Sequence, residues 1–383
     1  MSRIARVTVS VIPLMAALTL ASPAFAQVPS ASPGAEAAPV DCTVPSLTGL
    51  PSPADGAPPD LAGSAWEPMA KAPFGSEYEP VAWTGTRMVV VDSDTGRTAT
   101  YRPDTDAWRV RSTSPRPFDR AARTAWTGAE LVIAELSADG THLRGLAYRP
   151  QGDHWREIAP LEIPPDGQPD HALADAIWTG THVVVVDALG ALAAYDPVAD
   201  CWSELGSVPA DPTAWRLYLA DGRLLVESRR WDEPVELRAF DPATREWSEP
   251  AVGPLAREAS ERGAVEAGGS LVYITWDGSL EPGTANARFD PATMAWAEFE
   301  HDCVTRASGT VAAGTLLVAA SGERALDAET LACVVLPDPP RALDGSERLV
   351  WTGADLIAWS GIREEQMTPR TGGYILRPAV DGP

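Results

Sequence analysis

The stretch IWTGTHVVVVDALGALAAYDPVADCWSELGSVP, Ile177 to Pro209, lays out the repeating unit of this chain in one pass. Trp178-Thr179-Gly180 closes an apolar segment, and the β-branched run Val183 to Val186 follows the glycine. A polar turn leads to Tyr195-Asp196-Pro197, and Trp202 stands five residues beyond the proline. Short β-branched runs bounded by Gly, Asp and Pro read as strands. The segment therefore predicts four strands. Gly180 takes the positive-φ position of the turn between the first two, Asp196-Pro197 ends the third, and Trp202 opens the fourth.

The pattern returns on both sides of this stretch. Before it come Trp83-Thr84-Gly85 with Tyr101-Arg102-Pro103 and Trp108, then Trp126-Thr127-Gly128 with Tyr148-Arg149-Pro150 and Trp155. After it come Asp221-Gly222 with Phe240-Asp241-Pro242 and Trp247, then Gly268-Gly269 with Phe289-Asp290-Pro291 and Trp296. A degraded sixth copy has Gly314, Leu326-Asp327-Ala328 and Cys333, with cysteine in the tryptophan slot. The seventh has Trp351-Thr352-Gly353 and ends at Tyr374 and Pro378, without its tryptophan. The turn glycines 85, 128, 180, 222, 268, 314 and 353 are 39 to 52 residues apart, which is the spacing of propeller blades. Ala65-Trp66-Glu67 lies ahead of the first copy and supplies the missing outer strand of the last. This closes the ring and removes exposed sheet edges. The fold class is all-β: a seven-bladed propeller of residues 64–380, with four antiparallel strands per blade, or six blades if the degraded copy forms none. The tryptophans of the repeat slots are expected to pack between blades.

The strings Tyr195-Asp196-Pro197 … Trp202 and Phe240-Asp241-Pro242 … Trp247 resemble kelch repeats of the galactose-oxidase-like propellers, over about residues 64 to 380. The chain departs from that family in its glycine doublet, present only as Gly268-Gly269. The resemblance implies a loop face that carries ligands, but no particular activity.

Ahead of the repeats, Arg3 and Arg6 precede an apolar run from Val7 to Ala21, and Ala24-Phe25-Ala26 forms an A-x-A cleavage site. This reads as a signal peptide over residues 1–26, leaving Gln27 as the first mature residue. Residues 27–63 form a Pro/Ala-rich tail. The protein is thus expected outside the cytoplasm, secreted or in the cell envelope, with no membrane insertion after cleavage. The cysteines 42, 201, 303 and 333 are expected to form disulfides there, the pairing left open. The covalent link at Cys333 is expected to replace packing.

A formal charge of −23, from 53 acids and 30 bases, disfavours nucleic acid as a partner. No cofactor is expected and the chain is expected to be monomeric. The copper-radical chemistry known in the resembled family needs two histidines with tyrosines. His142, His154, His171, His182 and His301 offer no such set. Ser93-Asp94-Thr95-Gly96-Arg97-Thr98 resembles a sialidase Asp-box or the start of a calcium loop, but reads better as a turn between the second and third strands.

Binding has better candidates. Trp231, Trp276 and Trp359 each follow the second strand of a blade, with Arg229, Arg230, Asp232, Glu364 and Glu365 nearby, which suits sugar rings or peptide side chains. The alternative is that these rings cover the ends of their own sheets. A second set stands about eight residues ahead of the turn glycines, at the starts of the inner strands. It comprises Glu77, Arg120 and Arg306, with His171 and Trp215 one step away. It would ring the channel mouth and hold an anionic or polyhydroxylated ligand. Three functions are therefore carried forward: a binding module for a carbohydrate or protein ligand on the loop face, a sugar-active hydrolase, lyase or epimerase at the mouth, and a structural envelope scaffold.

Overall fold

The computed structural model describes residues 42, 43, 45, 61, 63–75, 80–163, 172–210, 214–230, 233–254, 264–274, 286–301, 303, 310–319, 322–341, 343, 347–363 and 368–378. The chain divides after Val40 into two units, and all described residues fall in the second. They form a seven-bladed β-propeller of antiparallel four-stranded sheets. Blade one is Val81–Trp83, Met88–Val91, Thr98–Arg102 and Ala107–Val110. Blade two is Arg123–Trp126, Leu131–Leu136, His142–Arg149 and His154–Glu162. Blade three is Leu173–Trp178, Val183–Asp187, Ala191–Asp196 and Cys201–Ser207. Blade four is Ala214–Ala220, Arg223–Arg229, Glu236–Asp241 and a broken outer strand, Glu246–Trp247 with Ala251–Val252. Blade five is Val265–Ala267, Ser270–Tyr273, Asn286–Asp290 and Ala295–Phe299. The degraded copy is a complete blade six: Val311–Ala313, Leu316–Val318, Arg324–Asp327 and Cys333–Val335.

Blade seven takes Arg348–Trp351, Leu356–Trp359 and Gly373–Arg377 from the C-terminal end and Ala65–Pro68 from the N-terminal side. The two ends zip together with Trp66 opposite Leu376. One sequence assignment shifts here. Leu376, not Tyr374, occupies the aromatic slot, because Leu376 pairs with Leu356 as Tyr148 pairs with Leu131. The aromatic residue is dispensable there because the slot is still filled by a large apolar side chain, fully buried.

The apolar runs reflect how the sheets stack. Each blade is covered on both faces, so the second strand carries a continuous apolar run: Met88–Val91 and Val183–Val186 are all buried. Seven apolar clusters result, one per seam, each drawing on two neighbouring blades. Local chemistry fixes the turns between. In each Trp-Thr-Gly copy the threonine N–H and Oγ1 close the turn onto the carbonyl of Arg87, Glu130, His182 or Asp355, and the glycine holds φ between 87° and 93°. The aspartate of each Asp-Pro step accepts backbone N–H bonds two and three residues on, as Asp196 does from Val198 and Ala199.

The outer-strand tryptophan is a clamp. Its Nε1 donates to a carbonyl of the preceding blade, Trp155 to Ser112 at 3.0 Å and Trp202 to Ala159 at 2.7 Å. Trp108, Trp296 and Trp66 do the same to Ala70, Ala251 and Pro337. In blades one to three a second clamp sits beside it. Tyr101, Tyr148 and Tyr195 donate to Asp106, Asp153 and Asp200, and each aspartate also accepts an N–H from the preceding blade. In blades four to six the hydroxyl and its acceptor disappear together. Phe240, Phe289 and Leu326 stand with Arg245, Met294 and Leu331, at the same left-handed turn position. A buried hydroxyl without an acceptor is costly, so the pair is gained or lost as a unit.

Both disulfides join distant parts of this frame. Cys333 pairs with Cys303, which lies just beyond the outer strand of blade five, so a covalent bond crosses the seam in the slot where other blades place tryptophan. Cys42 pairs with Cys201 and holds the N-terminal segment under blade three. Residues 1–41, 44, 46–60 and 62, the sequence-predicted signal and most of the tail, lie outside the described residues. Among the described residues no helix is long and apolar enough to cross a membrane.

Candidate ligand site at the channel mouth

The first strands of the blades line the central channel. Their starting ends share a face with the crossings between blades and with the turns between second and third strands. The contacts of blade one show this arrangement: Phe118 N–H donates to Ser93 O, Ser114 N–H donates to Gly96 O, and Arg120 in the crossing pairs with Asp94 in the turn. Ser93 to Arg97 is accordingly a turn leading into the strand at Thr98, with Asp92 Oδ1 accepting the N–H groups of Asp94 and Thr95.

At this mouth lies a cavity of about 570 Å³. Its polar lining is Arg120, Arg123, Arg216 and Arg348 with Asp119, Asp175, Ser93 and Thr124, over an apolar wall that includes Val81, Phe118 and Leu349. Register explains the convergence. Arg123, Asp175 and Arg348 stand three residues ahead of Trp126, Trp178 and Trp351, which end their inner strands. Arg216 stands three ahead of Leu219, which pairs with Leu224 as Trp126 pairs with Leu131. Equal height in four blades places four charged side chains in one layer. Counting back the same way in blades five and six reaches Gly263 and Gly309, outside the described residues.

The charges in this layer are only partly compensated. Arg123 donates from Nε to Ala174 O and from Nη1 to Ala121 O, both at 2.7 Å. Burial pulls its guanidinium down from the ordinary arginine range; Asp175 opposes that and neighbouring Arg216 adds to it. Burial pushes the Asp175 carboxyl up, against the pull of the Leu217 N–H, Arg216 and Arg123. That carboxylate holds Leu217 N–H at 2.9 Å from Oδ2, stapling blade three to blade four. Asp119 likewise accepts the Ala121 N–H at 2.7 Å. Both lining carboxylates are thus engaged by backbone. Arg216 is exposed to the cavity, and Arg348 Nε is buried without a partner among the described residues.

The structure sorts the sequence candidates. Arg120 lines the cavity, with its guanidinium on Asp94. Trp215 is buried at 3% exposure, its Nε1 on Ala188 O at 3.1 Å and its ring over Gly190, where a Cβ would lie 2.5 Å from it. Trp359 is fully buried in the seam of blades seven and one, 5.5 Å from Trp108 between ring centroids. Both rings are therefore committed to packing, because an inward-facing position on a sheet covered from both sides leaves no route to solvent. Trp231, Trp276, His171, Arg306, Glu77, Asp232, Glu364 and Glu365 lie outside the described residues. The loop after Trp359 contains a short hairpin, Ile362–Arg363 with Thr368–Pro369.

Sequence reasoning missed Arg123, Arg216 and Arg348. It counted eight residues back from the turn glycine, into the crossings, whereas the layer facing the cavity is set three residues back from the end of each inner strand. Aligning the inner strands on their last residue would have found it. Two other clusters are structural. Glu227, fully buried, accepts from Tyr218 and Tyr273 at 2.9 and 2.6 Å and from Arg229, and locks blade four to blade five without lining the cavity. His182 and Asp196 on the opposite face bind Thr43. Among the described residues no group of histidine, cysteine and carboxylate side chains could hold a metal ion. Compared with protein-family models and with curated proteins, the chain matches none.

Proposed function

We propose that the protein is an exported, kelch-like binding propeller whose ligand is an acidic carbohydrate, held at the channel mouth. The observation that carries this reading is the gathering of four guanidinium groups in one cavity of about 570 Å³, in a chain of net charge −23. Guanidinium forks match carboxylates and sulfates two bonds at a time, and the surrounding apolar wall lowers the local dielectric that such pairs feel. Arg216 is exposed, Arg348 Nε is unpartnered among the described residues and Arg123 is crowded by a like charge, so an anion entering the layer relieves all three. The cavity size suits two or three sugar residues. The lining carboxylates hold backbone N–H groups, which favours binding over turnover. The A-x-A site at Ala24-Phe25-Ala26 and the two disulfides support export.

The test is a glycan array and calorimetric titration with the mature chain, residues 27–383, against uronate-containing, sulfated and neutral oligosaccharides. Acidic glycans should bind, and the R123A/R216A/R348A variant should lose that binding at least a hundredfold. A preference for neutral glycans, or a triple variant that binds as the parent does, overturns the reading.

A further inference from the structure

On the opposite face, three positions of each blade converge: the residue before the second strand's first apolar residue, the residue after the aromatic of the third strand, and the residue after the tryptophan of the fourth. In blade two these are Glu130, Arg149 and Arg156, and Glu130 bonds both arginines at 2.8 Å. In blade seven they are Asp355, Arg377 and Glu67, with Arg377 at 3.5 and 3.0 Å from the two carboxylates. In blade three they are His182, Asp196 and Ser203, and there a guest occupies the site. Thr43 Oγ1 lies 3.2 Å from His182 Nε2 and donates to Asp196 Oδ2 at 2.9 Å, while Thr43 O accepts from Ser203 Oγ at 3.4 Å.

Blade one breaks the rule of compensation. Its three positions are Arg87, Arg102 and Arg109. Met88 pairs with Tyr101 and Tyr101 with Trp108, so the register sets the three arginines at the positions that carry the triads of blades two and seven. Among the described residues the acid paired with any of them is Asp104, in an exposed contact with Arg102. Beside them, between blades one and two, lies a groove of about 490 Å³ lined by Thr84, Thr86, Arg87, Trp126, Arg149 and Gln151. The surrounding sequence is also the basic part of an acidic chain, with eleven of its 30 basic residues between Arg87 and Arg156.

We propose that this groove is a second, separate binding site, for an oxyanion group such as sulfate, phosphate or carboxylate, taken up by Arg87 in its lining, with Arg102 and Arg109 set beside it by the strand register. The guest under blade three shows that this level of the underside accepts a polar group between its three positions. With Arg102 on Asp104, Arg87 and Arg109 have no paired acid among the described residues, and they call for an anion where blades two and seven supply their own.

The test variant is taken from the molecule itself. Arg87→Glu gives blade one the Glu-Arg-Arg triad of blade two, so it fills the site internally and leaves the fold intact. Calorimetric titration of the mature chain with inorganic sulfate, and separately with a sulfated tetrasaccharide, should show binding that R87E weakens on the order of tenfold to a hundredfold. R109A, at an exposed position, should weaken it in the same direction. The R123A/R216A/R348A variant should lose only the channel-mouth contribution and keep a remaining binding that R87E weakens, which separates this site from the channel mouth. Tighter binding of the tetrasaccharide than of sulfate would identify a polymer-borne group, and equal binding a free anion. Absence of binding by the parent chain, or equal binding by R87E, overturns the proposal.

Discussion

Glu266 provides the sharpest quantitative prediction. It pairs with Leu271 as Trp83 pairs with Met88, so it fills the inner-strand slot that holds tryptophan in blades one, two, three and seven. Its Oε1 is buried without a partner among the described residues, and burial alone pushes its carboxyl up to about 7. A folded-state value above the unfolded one, roughly 4.5, means that the folded chain keeps a proton the unfolded chain releases. The associated stability is therefore fully present below pH 4.5 and is lost as pH rises through 7. Integrating the two titrations gives a loss of about 2.5 kcal/mol between pH 5 and pH 8. Glu266→Gln removes the titration while keeping shape and polarity. Urea unfolding of parent and variant at pH 5, 6, 7 and 8, disulfides intact, isolates the effect as a difference, because the other acids titrate alike in both. The variant should gain on the parent by about 2.5 kcal/mol across that range, most of it between pH 5 and 7. A difference that stays flat with pH would refute the argument that burial of its carboxyl keeps Glu266 protonated up to about pH 7 in the folded ring.

Two further expectations concern the seams. Removing the Cys303–Cys333 link, which spans 30 residues, should cost about 3.5 kcal/mol by the loop-entropy relation, and C303S/C333W should recover part of it by restoring the tryptophan clamp; thermal melts of the two variants decide this. Asp153→Ala leaves the Tyr148 hydroxyl and the Ser112 N–H without their acceptor and should cost about 2–3 kcal/mol. In a double-mutant cycle, Y148F/D153A should cost less than the sum of its parts, as the joint loss of this pair in blades four to six implies; strict additivity would argue against the clamp acting as a unit.

How far the sequence could be read follows from where its information is local. A turn glycine, a threonine that closes its own turn and an Asp-Pro step act within four residues, so a glycine repeated seven times, with the threonine in four copies and Asp-Pro in three, marked the blades, their strands and even the degraded sixth copy. The closure through Trp66 was legible because one slot was empty at the end of the chain and one copy of its filler stood at the beginning. The cysteine in the tryptophan slot announced a covalent substitute, though not its partner, since Cys303 reaches Cys333 across a seam whose path depends on the crossing loop.

The sites were decided by tertiary structure, because they are made of residues brought to one height on separate blades. In the sequence Trp359 looks like a loop aromatic and Trp215 like a channel-mouth residue; both are core residues in the ring, since the stacking of sheets covers both of their faces. Arg123, Arg216 and Arg348 are far apart in the chain and look unremarkable one at a time. Only the register of the inner strands puts them around one cavity. The sequence by itself determined the repeat, because strand and turn chemistry is short-ranged. The meeting of charges at the channel mouth and under blade one was left to the ring, because electrostatic partners are chosen by distance in space and not by separation along the chain.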